Sequence, residues 1–241
     1  MKPNDSFVIK LHGIAKKYEI RHEKPTLVGK LMNGNHETFW ALHAINLTVR
    51  AGERIGIVGP NGSGKTTLLK TITRIVNPTR GTVETRGKIV SLIDLTAGFH
   101  PELTGEQNIF LNGLIIGMNK QEIAEKLRAI IRFADLGRFI DVPLYTFSEG
   151  MKLRLGFAIA VYANPDILLL DEGIGFADEK FYKKSVAKID EYMHEQKTVI
   201  MASHWIEFIR QNCTRILILK KGTVKADGGL NLLNDYKLGK I

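Results

Sequence analysis

The run "RIGIVGPNGSGKTTLLKTI", residues 54–72, restricts the possible folds more than any other part of this chain. It opens with a short, continuous apolar stretch of the kind that forms a buried strand. Gly59 to Thr66 then matches the spacing G-x-x-x-x-G-K-[ST], and Leu68, Leu69, Ile72, Ile75 and Val76 follow at helical spacing. A strand, a glycine-rich turn and a helix in that order make a phosphate-binding loop. The glycines let the backbone wrap around phosphate oxygens, so that several N–H groups converge on the anion. The candidate nucleotide-binding residues here are Gly59, Pro60, Asn61, Gly62, Ser63, Gly64, Lys65, Thr66 and Thr67. Lys65 is placed to pair with the β- and γ-phosphates, and the Thr66 hydroxyl to ligate Mg²⁺.

A second half of the site lies downstream. "DILLLDEG" leads a strand to Asp171, a candidate Mg²⁺ ligand, and then to Glu172, placed where a base orients and polarises water. His204 ends the next apolar strand, "TVIMASHW", and so falls at the same sheet edge. Further upstream, "TFSEGMKLRLGFAIA" reads as a loop ending at Ser148 and a helix with Gly150 in its first turn. A helix start with free N–H groups suits an anion. The chain already has one phosphate loop, which leaves open whose phosphate this second start serves.

Short apolar runs at 54–59, 166–171, 198–203 and 215–220 alternate with helical patterns. They predict an α/β fold with a mainly parallel core sheet. "FVIKLHGIAKKY" and "ALHAINLTVRAGE" alternate apolar with polar residues and predict half-exposed antiparallel strands. From about Leu103 to Asn164 the pattern turns helical. Asn119 and Glu122 form a capping box opening a helix that Gly137 is expected to end. The polar, Gly-containing stretch 21–40 is too long for a tight turn, and long loops in compact domains are often functional.

No apolar run reaches the length of a membrane helix, and the first residues lack the apolar core of a signal peptide. A lone Cys213 excludes an internal disulfide framework and fits a reducing compartment, the cytosol. The net charge of +9 raises nucleic acid or anionic lipid as partners, but the cations are scattered and no recognition element accompanies them. No nucleic-acid partner is expected.

The order of phosphate loop, helical insertion, "FSEGM", "ILLLDE", "GFAD" and "SH" resembles the nucleotide-binding subunit of ABC transporters across almost the whole chain. The resemblance implies a P-loop ATPase with an antiparallel β subdomain and a helical subdomain. Its core would span about 1–94 and 165–230, and its helical subdomain about 95–164, all within a single domain 1–241. It further implies that Ser148 and Gly150 belong to a signature motif completing the ATP site of a partner subunit. The functional unit is then a homodimer joined to two copies of an integral-membrane permease, peripheral on the cytoplasmic face of the membrane. By the same matching, Tyr18 stacks on adenine, Asp178 communicates between the two sites and His204 senses the γ-phosphate.

Two departures stand out. The glutamine usual before the helical insertion would fall near Leu95 and is absent, with Asp94 and Thr96 beside it, and Glu149 replaces a small residue of the signature. "AGFHPELTGEQNIFLNGLIIG" and "DEGIGFADEKFYKK" resemble the subfamily exporting O-antigen, capsular polysaccharide, teichoic acid or galactan precursors. That likeness implies a lipid-linked polysaccharide as cargo and places the extra loop 21–40 near the membrane. Because the chain stops at "LLNDYKLGKI", no carbohydrate-binding domain is expected. The competing expectations are another exporter cargo, a lipid or drug, and an ABC ATPase acting on nucleic acid.

Overall fold

The computed structural model describes residues 7–21, 36–171 and 178–240. Glu172 and most of the 21–40 stretch therefore lie outside the described residues. Strands β1 (Phe7–Arg21) and β2 (His36–Arg50) form a long antiparallel ribbon, and β4 (Arg80–Thr85) pairs with the other edge of β1.

The second sheet has the order β5-β6-β7-β3-β8-β9, built from β3 (Arg54–Val58), β5 (Ile89–Ser91), β6 (Ile167–Leu170), β7 (Thr198–Ala202), β8 (Arg215–Lys220) and β9 (Thr223–Gly228). All its pairings are parallel except the antiparallel edge of β8 with β9. Helix α1 (Lys65–Ile72) follows β3. Between β5 and β6 the chain runs through α2 (Gly105–Ile115), α3 (Lys120–Ala134) and α4 (Glu149–Tyr162). Helix α5 (Glu179–His194) connects β6 to β7, α6 (Ile206–Asn212) connects β7 to β8, and α7 (Leu232–Lys237) follows β9.

The parallel strands read as continuous apolar runs because both faces of their sheet are covered. Successive side chains alternate between two cores. Leu168, Leu170, Val199, Met201, Ile216 and Ile218 join the helices α2–α5 on one face. Ile167, Leu169, Ile200, Ala202, Leu217 and Leu219 join α1 and the antiparallel sheet on the other. Cys213 sits in the first of these cores, and burial pushes its thiol pKa up to about 12, so it packs as an unreactive hydrophobe.

Two boundaries differ from the sequence pattern. Helix α1 stops at Ile72, because the Thr73 hydroxyl takes the Lys70 carbonyl and Arg74 turns left-handed at φ 60°. Ile75, expected on its apolar face, is left 57% exposed. Helix α3 does carry the Asn119–Glu122 capping box. It ends at Ala134, with Asp135 rather than Gly137 in the left-handed cap, and Gly137 instead opens a 3-10 turn, Gly137–Asp141.

Arg215 ties the two sheets together. Its guanidinium donates to both Asp227 carboxylate oxygens at 2.7 Å, to Glu53 at 2.9 Å and to the Thr48 carbonyl at 2.9 Å. The Asp227 bonds, more than Glu53, hold its pKa above the ordinary arginine value. Replacing Arg215 with alanine removes these bonds from half-buried acceptors, of which Glu53 keeps the Arg50 N–H. The expected loss is roughly 1–3 kcal/mol in urea unfolding, with solvent screening setting the lower end. Lysine, lacking the planar fork, should recover less than half of it.

Candidate nucleotide-binding site

All five parallel strands end at one edge, where ligands of open α/β sheets collect. The loop after β3 is drawn tight by two glycines. A Cβ on Gly59 would lie 2.1 Å from the Leu219 carbonyl oxygen. One on Gly64, at φ 104°, would lie 2.6 Å from the Ala41 carbonyl oxygen. These contacts press the loop against β8 and β2, and the Gly222 N–H donates to the Ser63 carbonyl at 2.9 Å. Gly64 supplies no side-chain cap to α1, and a helix start of this kind suits an anion.

The side chains around the loop suit a polyphosphate. Lys65 is 4% exposed, and its ammonium donates to the Gly59 carbonyl at 2.9 Å. The Ser63 hydroxyl oxygen is buried with no hydrogen-bond partner among the described residues. An orphaned buried polar atom within the phosphate loop calls for a partner from outside the protein. Thr66 donates from its hydroxyl to the Asp171 carboxylate at 2.7 Å, across 105 residues of sequence. The two candidate metal ligands are thus in direct contact.

A groove of about 320 Å³ lies over the loop, lined by Phe39, Ala41 and the residues from Asn61 to Thr67. The ring lining it is Phe39. Tyr18 stands directly across from Phe39 in the β1–β2 register, with the Lys16 ammonium 5.1 Å from its ring, but does not line the groove. Phe39 sits in a strand of mixed polarity, so only the pairing of the two strands reveals it. Asp171 is buried just after β6, and His204 is exposed two residues after β7. The Ser203 N–H donates to the Ile57 carbonyl, which fixes the end of β7 beside β3.

The other predicted residues stand apart from this groove. Ser148 is the N-cap of α4 and accepts from the Met151 N–H at 3.2 Å, leaving an exposed helix start with Gly150 in its first turn. Asp178 is the N-cap of α5 and accepts from the Phe181 N–H at 2.7 Å. None of Ser148, Gly150 and Asp178 lines the groove over the loop. The Glu149 carboxylate is turned to solvent and pairs with Lys152 at 2.7 Å, which offsets its charge beside the helix start.

The segment lacking the expected glutamine has its own architecture. Leu95 is buried, and its carbonyl lies so close to Gly156 of α4 that a Cβ there would approach to 2.1 Å. Asp94 and Thr96 bond to each other, Oγ1 to Oδ1 at 3.3 Å. Asn108, fully buried, accepts from the His100 N–H and donates to the carbonyls of His100, Leu103 and Thr104. The Tyr145 and Leu144 N–H groups donate to the Pro101 and Leu103 carbonyls, which joins this turn to the backbone leading into Ser148. An asparagine inside a helical repeat carries no sequence signal for such a role.

Residues 42–175 match the family model described as ABC transporter. The chain is 43% identical over 202 residues to the O-antigen export system ATP-binding protein RfbB of Myxococcus xanthus, covering 84% of this chain and 46% of that protein. It is 42% identical over 228 residues to the teichoic acids export ATP-binding protein TagH of Levilactobacillus brevis, covering 93% of this chain and 63% of that one. The chain thus spans roughly half the length of these curated relatives. Among solved structures it resembles a dimeric post-hydrolysis state of an ATP-binding cassette bound to ADP and Pi, with a TM-score of 0.70 and 27% identity over 92% of this chain and 98% of that one. The family model covers more than half of the chain and contains both the phosphate loop and Asp171, so this chain belongs to the ABC transporter family.

Proposed function

We propose that this chain is the ATP-hydrolysing subunit of an exporter for lipid-linked polysaccharide. The observation that carries the ATPase reading is the Thr66–Asp171 hydrogen bond beneath the phosphate loop. It brings together, from distant parts of the chain, the hydroxyl and the carboxylate that a P-loop nucleotide site uses for its metal. A hydroxyl and a carboxylate oxygen suit Mg²⁺, which would take one or two protein oxygens here and complete its shell with water and substrate phosphates. Bound there, the ion supplies charge neutralisation at the phosphates.

The chain's own residues do the rest. Amides from Asn61 to Thr67 hold the phosphates, and the Lys65 ammonium, held in place at the loop carbonyls, pairs with them. Glu172, next after Asp171 in sequence, orients the attacking water, and His204 donates to the γ-phosphate. Ser148 and Gly150 reach the γ-phosphate of a nucleotide held by a second copy. Two chains then enclose two ATP molecules, and Asp178 links the two sites. Closing and opening of this dimer biases two membrane subunits between their states.

The polysaccharide cargo rests on the relatives' names and on the turn around His100. The proposal includes peripheral attachment at the cytoplasmic face of the membrane. It is consistent with the finding that no described helix is long and apolar enough to cross one. Co-purification with its permease and measurement of ATP hydrolysis in lipid vesicles tests the cargo. Lipid-linked glycan should raise the rate severalfold over the same lipid without sugar. Equal stimulation by a drug or a glycan-free lipid would contradict the polysaccharide reading.

The groove also predicts how the base is held. Changing Phe39 to alanine should weaken ATP binding about tenfold, the upper range for losing one aromatic stack. The same change at Tyr18 should weaken it less than threefold. Calorimetric titration of both variants decides between the two rings, and the reverse order would restore Tyr18 as the stacking residue.

A further inference from the structure

Strand β2 is irregular beside the phosphate loop. Leu42 pairs with Lys16 of β1 and Trp40 pairs with Lys17, so the register passes over Ala41. An extra residue of this kind is a β-bulge, which bends the strand and re-aims what it carries. Here the Ala41 carbonyl is turned onto two glycines. A Cβ on Gly64 of the phosphate loop, or on Gly222 in the β8–β9 turn, would lie 2.6 Å from its oxygen. Just beyond, the His43 N–H donates to the Gly222 carbonyl at 2.8 Å, and the Gly222 N–H donates to the Ser63 carbonyl at 2.9 Å. The bulge is therefore a back wall of the phosphate loop.

The residues before the bulge face two ways. Phe39 pairs with Tyr18 and lines the groove. Trp40 belongs to the neighbouring register pair, so its side chain leaves the ribbon on the opposite face. There its ring, partly buried, lies 6.2 Å from the His43 imidazole at a tilt of 33°. The Arg80 guanidinium of β4 lies 5.6 Å from the same ring. Trp40 and His43 stand before and after Ala41, so their contact spans the bulge. Arg80 ties that contact to the third strand of the sheet.

We propose that Trp40 is a positioning residue for the nucleotide: from the face turned away from the groove it holds the bulge at Ala41, and so keeps Phe39 and the phosphate loop in their binding arrangement. The inference rests on the reading of the groove as the ATP site. A bulge interrupts the regular ladder, so side-chain contacts decide its shape. Without the indole, residues 39–43 populate other arrangements as well. ATP then binds only the competent fraction, and its apparent affinity falls in proportion. Once ATP is bound the arrangement is restored, so the chemical step is little changed.

The test compares Trp40→Ala, which removes the ring, with Trp40→Phe, which keeps a smaller one. Trp40→Ala should raise KM for ATP about fivefold to tenfold while kcat changes less than about twofold. Phenylalanine should bring KM back to within about twofold of the parent. A ring that only supports the fold would instead lower kcat through loss of active protein and leave KM unchanged, and that result would overturn the proposal. Hydrogen exchange of nucleotide-free Trp40→Ala should quicken together at residues 39–43 and 62–64. Quickening confined to 39–43, or none at all, would also overturn it. Should alanine prevent folding, Trp40→Leu takes its place in both measurements. If the parent neither binds nor hydrolyses ATP, the site reading fails by itself, while the exchange result still decides whether Trp40 holds the bulge against the loop.

Discussion

Lys65→Met should reduce ATP hydrolysis at least about 10²-fold, the loss expected when a preorganised cation is removed from developing phosphate charge. Lys65 is almost fully buried and bonded to the loop's own carbonyls, so it is held in place before any nucleotide arrives. Methionine matches the stem, so the loop should fold around it. The Gly59 carbonyl loses the Lys65 ammonium while the Pro60 carbonyl keeps the Ser63 N–H, at an expected cost of about 1–3 kcal/mol in stability. Circular dichroism at working temperature should therefore show a folded protein with little activity. A variant retaining more than a tenth of the parent rate would show that Lys65 does not pair with the phosphates.

Ser148→Arg should be almost as damaging, for a different reason. Within the described residues the Ser148 side chain accepts the Met151 N–H as the cap of α4. Losing that bond costs about 1 kcal/mol, far too little to unfold the protein. If the α4 start receives a partner's γ-phosphate, a long side chain there takes the phosphate's place and disables that one site while the two chains still pair. Hydrolysis should then fall about 10²-fold, while ATP binding to each separate chain changes less than about threefold. Ser148→Asn, which keeps the cap, should fold as well as the parent and isolates the capping contribution. Calorimetric binding and steady-state hydrolysis on the same samples separate these effects. Equal loss of binding and hydrolysis would mean that Ser148 serves its own chain's nucleotide.

Much of this architecture was legible in the sequence, because its strongest signals are local. The phosphate loop needs glycine where the backbone presses on Leu219 and Ala41, and it needs lysine and threonine at the start of α1, all within eight residues. The parallel strands are apolar throughout because both their faces are covered, and the capping box of α3 lies within four residues. What escaped depends on pairing between distant segments. Phe39 lines the groove from a strand of mixed polarity and stands opposite Tyr18 in the β1–β2 ribbon, a pairing that shifts register at several bulges and that no local pattern shows. The Asn108 bonds join an internal helix position to backbone carbonyls, and no residue pattern announces them. The end of α1 is hidden in the sequence because Ile75 and Val76 continue its spacing, while a left-handed Arg74 follows its end.

The central claim is that each ATP site is built from two chains, and mixing two inactive variants tests it most directly. Lys65→Met has no working phosphate loop but an intact α4 start, and Ser148→Arg has the reverse. Equal amounts of the two should recover about a quarter of the parent rate, since random pairing makes half the dimers mixed and each mixed dimer has one intact site of two. If instead each chain completes its own site, no pairing restores one, and the mixture would stay as inactive as its components.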